Sequence, residues 1–193
     1  MPQPIRTFIA VELPLEVKEH AAKLVKQLQK AEADVKWVRP EHMHWTLSFL
    51  GNVDLLEIPA VCDAVIEAAR PLAPFELVAR GAGAFPNARE PRTIWLGTGE
   101  GTEAMCELYG AIARNLDQLG YRPDARNYRP HVTLGRLRER GRGTQELSRL
   151  LIQLADYDAG VALVDEVVVM SSTLGRDGPT YEPLGHAELG GGG

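Results

Sequence analysis

Cysteine is scarce in this chain of 193 residues, no one sign of charge dominates it, and no long apolar run interrupts it. Each shortage excludes a class of protein. The two cysteines, Cys62 and Cys106, lie far apart on segments of helical periodicity, outside any Cys-x-x-Cys or His/Cys cluster. A disulfide framework and a zinc site are therefore both unsupported, and the thiols are expected to be reduced and buried. No basic leader precedes an apolar stretch, and nothing approaches about 18 consecutive apolar residues, which argues against a secretory signal or membrane span. A cytoplasmic protein is expected, without a membrane partner. The net charge of −5 argues against broad, non-specific affinity for nucleic acid. At 45% hydrophobic, the chain has enough apolar content for a core, and its length suits one domain over 1–189 with a flexible glycine tail at 190–193.

The charge is unevenly placed. Seven arginines (Arg122, Arg126, Arg129, Arg136, Arg138, Arg140 and Arg142) stand against Asp124 and Glu139 in one stretch, a local balance of +5 that leaves about −10 elsewhere. Such a patch draws a phosphate to one spot without coating the protein in nucleic acid. For Arg138, Arg140 and Arg142 a solvated loop is the simpler reading.

The tetrapeptide His-x-Thr-Leu occurs twice, as His44-Trp45-Thr46-Leu47 and His131-Val132-Thr133-Leu134. Composition alone would give two copies in only on the order of one chain in two thousand. On a strand, side chains alternate between faces, so each motif offers an imidazole and a hydroxyl to the same side. Two such strands facing a common cleft supply two proton-transfer groups and two donors for anionic oxygen, which suits phosphoester chemistry without a metal. A lone strand histidine is usually structural; the doubled pattern reverses that expectation.

Alternation and β-branched content predict strands at 5–13, 35–38, 43–50, 75–81, 92–98, 130–136, 163–170 and 180–184. Three-to-four spacing of apolar residues predicts helices over 15–32, 56–70, 102–119 and 144–155, with Gly120 as a C-terminal cap. Gly51-Asn52 reads as a turn ending the first motif strand. If that strand stays regular, Phe49 faces away from His44. Trp45, Phe85 and Trp95 read as packing residues, and His20, His42 and His186 as surface residues.

The motif blocks, with Arg6 to Pro14, Gly83-Ala84-Phe85-Pro86, Arg92 to Gly97, Pro130 to Arg136, and Ser172-Thr173-Leu174 with Gly178 to Tyr181, resemble the two-histidine phosphoesterase superfamily. The resemblance is to its RNA 2′,3′-cyclic phosphodiesterase branch, historically called 2′-5′ RNA ligase, and it spans nearly the whole chain. It implies an α+β fold of two lobes, each an antiparallel sheet backed by helices, related by a pseudo-twofold around a central cleft. It implies hydrolysis of RNA 2′,3′-cyclic phosphate ends to 2′-phosphomonoesters without cofactor or metal, with His44 as general acid and His131 as general base. Thr46, Thr133 and Arg136 would hold the phosphate, while Phe49, Tyr128 and Arg129 are candidates for nucleotide contact. The partner implied is an RNA end, such as that of a tRNA, met by a monomeric enzyme. Reversal with a ribose 5′-hydroxyl in place of water would give 2′-5′ ligation. A non-catalytic RNA- or nucleotide-binding module would keep the same cleft. A zinc protein using His44 and His131 would lack a full ligand set.

Overall fold

The computed structural model describes residues 4–122, 128–175 and 178–190. Asp124 and Arg126 of the arginine-rich stretch, and Gly191 to Gly193 of the expected tail, lie outside the described residues. The elements run β1 (Ile5–Glu12), α1 (Leu15–Leu28), β2 (Val35–Trp37), β3 (His44–Val53), α2 (Ile58–Ala69), β4 (Phe75–Phe85) and β5 (Thr93–Thr98). They continue with α3 (Thr102–Gln118), β6 (Val132–Leu137), α4 (Thr144–Gln153), β7 (Asp158–Val164), β8 (Glu166–Gly175) and β9 (Gly178–Glu188).

The strands pair antiparallel in the order β7-β4-β5-β6-β3-β1-β8-β9, with β2 added to β6. Two half-sheets are thus joined edge to edge rather than standing apart. One half is β7-β4-β5-β6 and the other β3-β1-β8-β9, and a single residue pair, Trp45 with Val132, joins them. The C-terminal part of β6 pairs instead with β2, Gly135 opposite Trp37 and Leu137 opposite Val35. Gly135 is required there, because a Cβ would stand 2.7 Å from Val35 and 2.9 Å from the Trp37 ring.

Helices cover the sheet with the apolar stripes that their spacing predicts. Val17, Ala21, Leu24 and Leu28 of α1 are buried, as are Met105, Leu108, Ile112 and Leu116 of α3. The α3 stripe ends in a Schellman turn: Tyr121 N donates to Leu116 O and Gly120 N to Asp117 O, with Gly120 left-handed at φ 87°. One core runs through both halves, so truncating a fully buried member such as Leu24 to alanine costs about 2–5 kcal/mol.

Two local expectations are corrected. Leu163 to Met170 is not one strand: the chain breaks at Asp165, with β7 at one end of the sheet order and β8 near the other. The apolar stretches on either side of Asp165-Glu166 belong to different strands: β7 alternates, with Ala162 and Val164 buried and Leu163 61% exposed, whereas Val167 to Met170 of β8 are buried on both faces. Gly51-Asn52 does not end β3, which pairs on to Val53 through a bulge at Leu50, with Gly51 at φ 74°.

Candidate active site

The seam between the half-sheets sets the geometry of the two motifs. Trp45 and Val132 face each other across it and are fully buried. Alternation therefore turns His44, Thr46, His131 and Thr133 to the opposite face, where all four are half-buried. Continuing the antiparallel register by one residue sets His44 across from Thr133 and Thr46 across from His131. On that register the two histidines would stand on a diagonal, ordinarily about 7–8 Å between backbones.

Both imidazoles are fixed by the same device. His44 Nδ1 lies 2.8 Å from the His42 carbonyl, and His131 Nδ1 lies 2.7 Å from the Arg129 carbonyl. A carbonyl only accepts, so Nδ1 carries the proton in each ring and Nε2 is left for chemistry. Their surroundings differ. His44 stacks on Phe8 at 5.0 Å and meets the edge of Tyr181 at 5.5 Å. Burial holds its pKa down at about 4, with the charges of His42 and Lys18 acting the same way against the opposing carbonyl. His131 meets Phe85 edge-on at 5.0 Å. Burial, then Arg136 and Arg129, lower its pKa as well, again against the carbonyl bond.

Two adjoining concavities open along the seam. His44 lines one of about 320 Å³, while Thr46, Thr133 and His131 line another of about 530 Å³. Phe49 and Arg136 border both. Phe49 reaches the cleft because β3 is not regular: a bulge at Leu47 shifts the pairing from Thr46 with Ala10 to Ser48 with Ile9 and reverses the alternation. Phe49 is 67% exposed and packs at 5.9 Å from Phe8. Arg136 Nη1 donates to Thr93 Oγ1 at 3.1 Å. Tyr128 stacks on Tyr109 at 4.1 Å and donates to the Thr46 carbonyl at 3.2 Å, so it braces the first motif strand while bordering the second concavity.

Arg129 lies 5.8 Å over both the Phe85 and Trp95 rings. These two aromatics flank His131 rather than filling the core, whereas Trp45 is wholly core. A side chain on Gly83 would run into the Trp95 ring, so that glycine makes the ring's position possible. Among the other histidines, His42 borders the His44 concavity against Tyr181, at 5.2 Å, while His186 pairs with Glu166 at the surface. The cysteines are free but half-buried, and Cys106 borders a third hollow beside His131.

The cleft's cations are the main site residues that motif reading does not find. Of the arginine-rich stretch, Arg138, Arg140 and Arg142 pair with Asp34, Glu90 and Glu32, and Arg122 with Asp117. Arg6, Lys36 and Arg39 instead join Arg136 around the His44 concavity. They are separate in sequence, and only the pairing of β2 with β6 brings Lys36 to Arg136. Among the described residues, no group of three or more His, Cys, Asp and Glu is arranged to hold a metal ion, and no helix is long and apolar enough to cross a membrane.

Two His-x-Thr strands meeting at the seam of a bilobal, pseudo-twofold α+β fold define a two-histidine phosphoesterase. The LigT-like phosphoesterase model matches twice, over residues 11–95 and 96–181, with one motif in each half, and the chain belongs to that family. An RNA 2′,3′-cyclic phosphodiesterase of Methanothermobacter thermautotrophicus is 36% identical over 93% of this chain and 96% of its own. One from Thermotoga maritima is 32% identical over 97% of each. A crystal structure from Thermus thermophilus superposes with a TM-score of 0.80 at 26% identity, covering 98% of this chain and all of the other.

Proposed function

We propose that the chain hydrolyses RNA 2′,3′-cyclic phosphate ends to 2′-phosphomonoesters. Water attacks phosphorus and gives its proton to His131 Nε2; the bond from phosphorus to O3′ breaks, and His44 Nε2 protonates the departing oxygen. The observation that carries this reading is the matched pair of imidazoles beside the Trp45–Val132 pair, each with Nδ1 bound to a carbonyl and Nε2 left for chemistry. Thr46 and Thr133, each beside the opposite motif's histidine, donate to the non-bridging oxygens, and Arg136 adds a charged donor. Each proton transfer of this kind is worth about 10² to 10⁴ in rate. Phe49 and Arg129 border the nucleotide.

The free cleft bears on the order of roles. With a pKa of about 4, His44 is neutral near pH 7 and must gain a proton to act as an acid. An entering phosphate supplies the negative charge that raises both imidazole pKa values, so the site takes up a proton as it binds substrate. The depressed value favours the opposite order before substrate arrives, and a substrate with sulfur in place of O3′ separates the two. A thiolate leaves without protonation, so this substrate restores turnover to the variant lacking the general acid and not to the one lacking the base. Restoration of His44→Ala supports the assignment; restoration of His131→Ala reverses it.

Incubation with adenosine 2′,3′-cyclic phosphate in excess chelator, read by phosphorus NMR, tests the function. The expected product is the 2′-monophosphate alone. A 3′-monophosphate contradicts the regiochemistry. Tight binding without turnover instead identifies a non-catalytic RNA-binding module.

A further inference from the structure

Pairing of β2 with β6 sets Lys36 directly opposite Arg136. Like charges facing each other across a sheet are destabilising, and here both line the hollow beside His44, together with Arg6 and Arg39. None of these four cations is ion-paired to a described carboxylate, whereas Arg138, Arg140 and Arg142 just beyond β6 are all paired. No carboxylate is among the described residues lining the hollow. In a chain of net charge −5, four cations without a carboxylate partner among the described residues, in one concavity of about 320 Å³, define a seat for a polyanion. Only Arg136 also borders the concavity holding Thr46, His131 and Thr133; Arg6, Lys36 and Arg39 stand outside it. Their charge therefore lies to one side of the reacting phosphorus. The exposed Phe49 ring forms a wall between the two concavities.

We propose that this groove is the subsite for the nucleotide preceding the cyclic end. Lys36, Arg39 and Arg6 hold the phosphodiester on the 5′ side of the terminal nucleoside, and its base stacks on Phe49. The inference rests on the phosphodiesterase reading through one consequence of it: O3′ departs toward His44, so the terminal ribose and the RNA strand leading to it lie on the His44 side. The enzyme then selects strand ends over free cyclic nucleotides without reading sequence.

The test compares kcat/KM for a dinucleotide ending in a 2′,3′-cyclic phosphate with that for the corresponding nucleoside cyclic phosphate. Charge-assisted contacts to one phosphodiester predict a preference of about tenfold or more for the dinucleotide. Replacing its linkage by an uncharged methylphosphonate removes most of that preference in the unaltered protein. In the Lys36→Ala/Arg39→Ala double variant, the dinucleotide-to-nucleoside ratio falls toward one, and the salt dependence of dinucleotide turnover flattens by about 0.7 in log–log slope. Arg138→Ala, which removes a cation already paired with Asp34, leaves the ratio unchanged. A ratio near one in the unaltered protein, or an equally good methylphosphonate, overturns the subsite. If neither compound turns over, the phosphodiesterase reading fails instead, and calorimetric binding of the same two compounds still decides whether the groove prefers the added phosphate.

Discussion

The two flanks of the cleft carry the same His-x-Thr-Leu pattern at the start of a strand and the same carbonyl bond to Nδ1, yet they surround their imidazoles differently. On one flank Phe8 and Tyr181 enclose His44, and Arg6, Lys36 and Arg39 stand nearby without an ion-pair partner among the described residues. On the other, His131 meets Phe85 edge-on, and Arg129 lies over the adjacent aromatic rings. A repeated motif therefore specifies where a histidine stands and which nitrogen is free. Burial and charged residues outside the tetrapeptide specify its affinity for a proton. That division would let one duplicated architecture support the two proton-transfer roles proposed for it.

The largest expected effect comes from breaking the symmetry outright. His44→Ala and His131→Ala should each lower kcat/KM for a cyclic nucleotide by about 10² to 10⁴. The double variant should be little worse than the poorer single variant, because the two rings act as a unit. Steady-state kinetics beside circular dichroism checks both, and multiplicative losses would mean that the rings act in separate steps.

A second prediction sharpens the electrostatic contrast. His44 has a folded pKa of about 4 against an unfolded value of about 6.5. Between those limits the unfolded chain binds a proton that the native ring refuses. Stability contributed by the neutral ring is thus complete above about pH 6.5 and is lost as pH falls toward 4. His44→Gln should remove much of that slope from melting temperature against pH. The direction at His131 is the same, so His131→Gln should flatten the slope too, but less, because its ring is less enclosed. Equal flattening would show that the flanks do not differ.

The smallest effect probes the brace between the motifs. Tyr128→Phe removes the hydrogen bond to the Thr46 carbonyl but keeps the stack on Tyr109, and should cost about 1 kcal/mol in chemical denaturation. No change would mean that this bond does not steady the first motif strand.

The helices and the faces of the motif residues were legible from periodicity, because α1 and α3 bury one stripe each and the motif strands bury Trp45, Leu47, Val132 and Leu134. The Gly120 cap was equally plain. Bulges were not. An extra residue at Leu47 leaves no compositional trace, yet it turns Phe49 into the cleft. The break at Asp165 falls at the polar pair Asp165-Glu166, but apolar residues on both sides of that pair read as one strand. The arginine-rich stretch pointed to Arg136, which does line the His44 hollow, while Arg138, Arg140 and Arg142 pair with neighbouring carboxylates; the other cations of that hollow come from β1, β2 and the turn before His44. Pairing between strands distant in sequence decides such clusters, and local pattern does not record it.

The central claim is that His44 and His131 flank one phosphorus atom. Its most direct test is an NMR titration of both imidazoles with adenosine 2′-monophosphate at several pH values. The account predicts that both ring pKa values rise on binding, along saturation curves with a single shared dissociation constant. A response from only one ring, or two distinct constants, would contradict it.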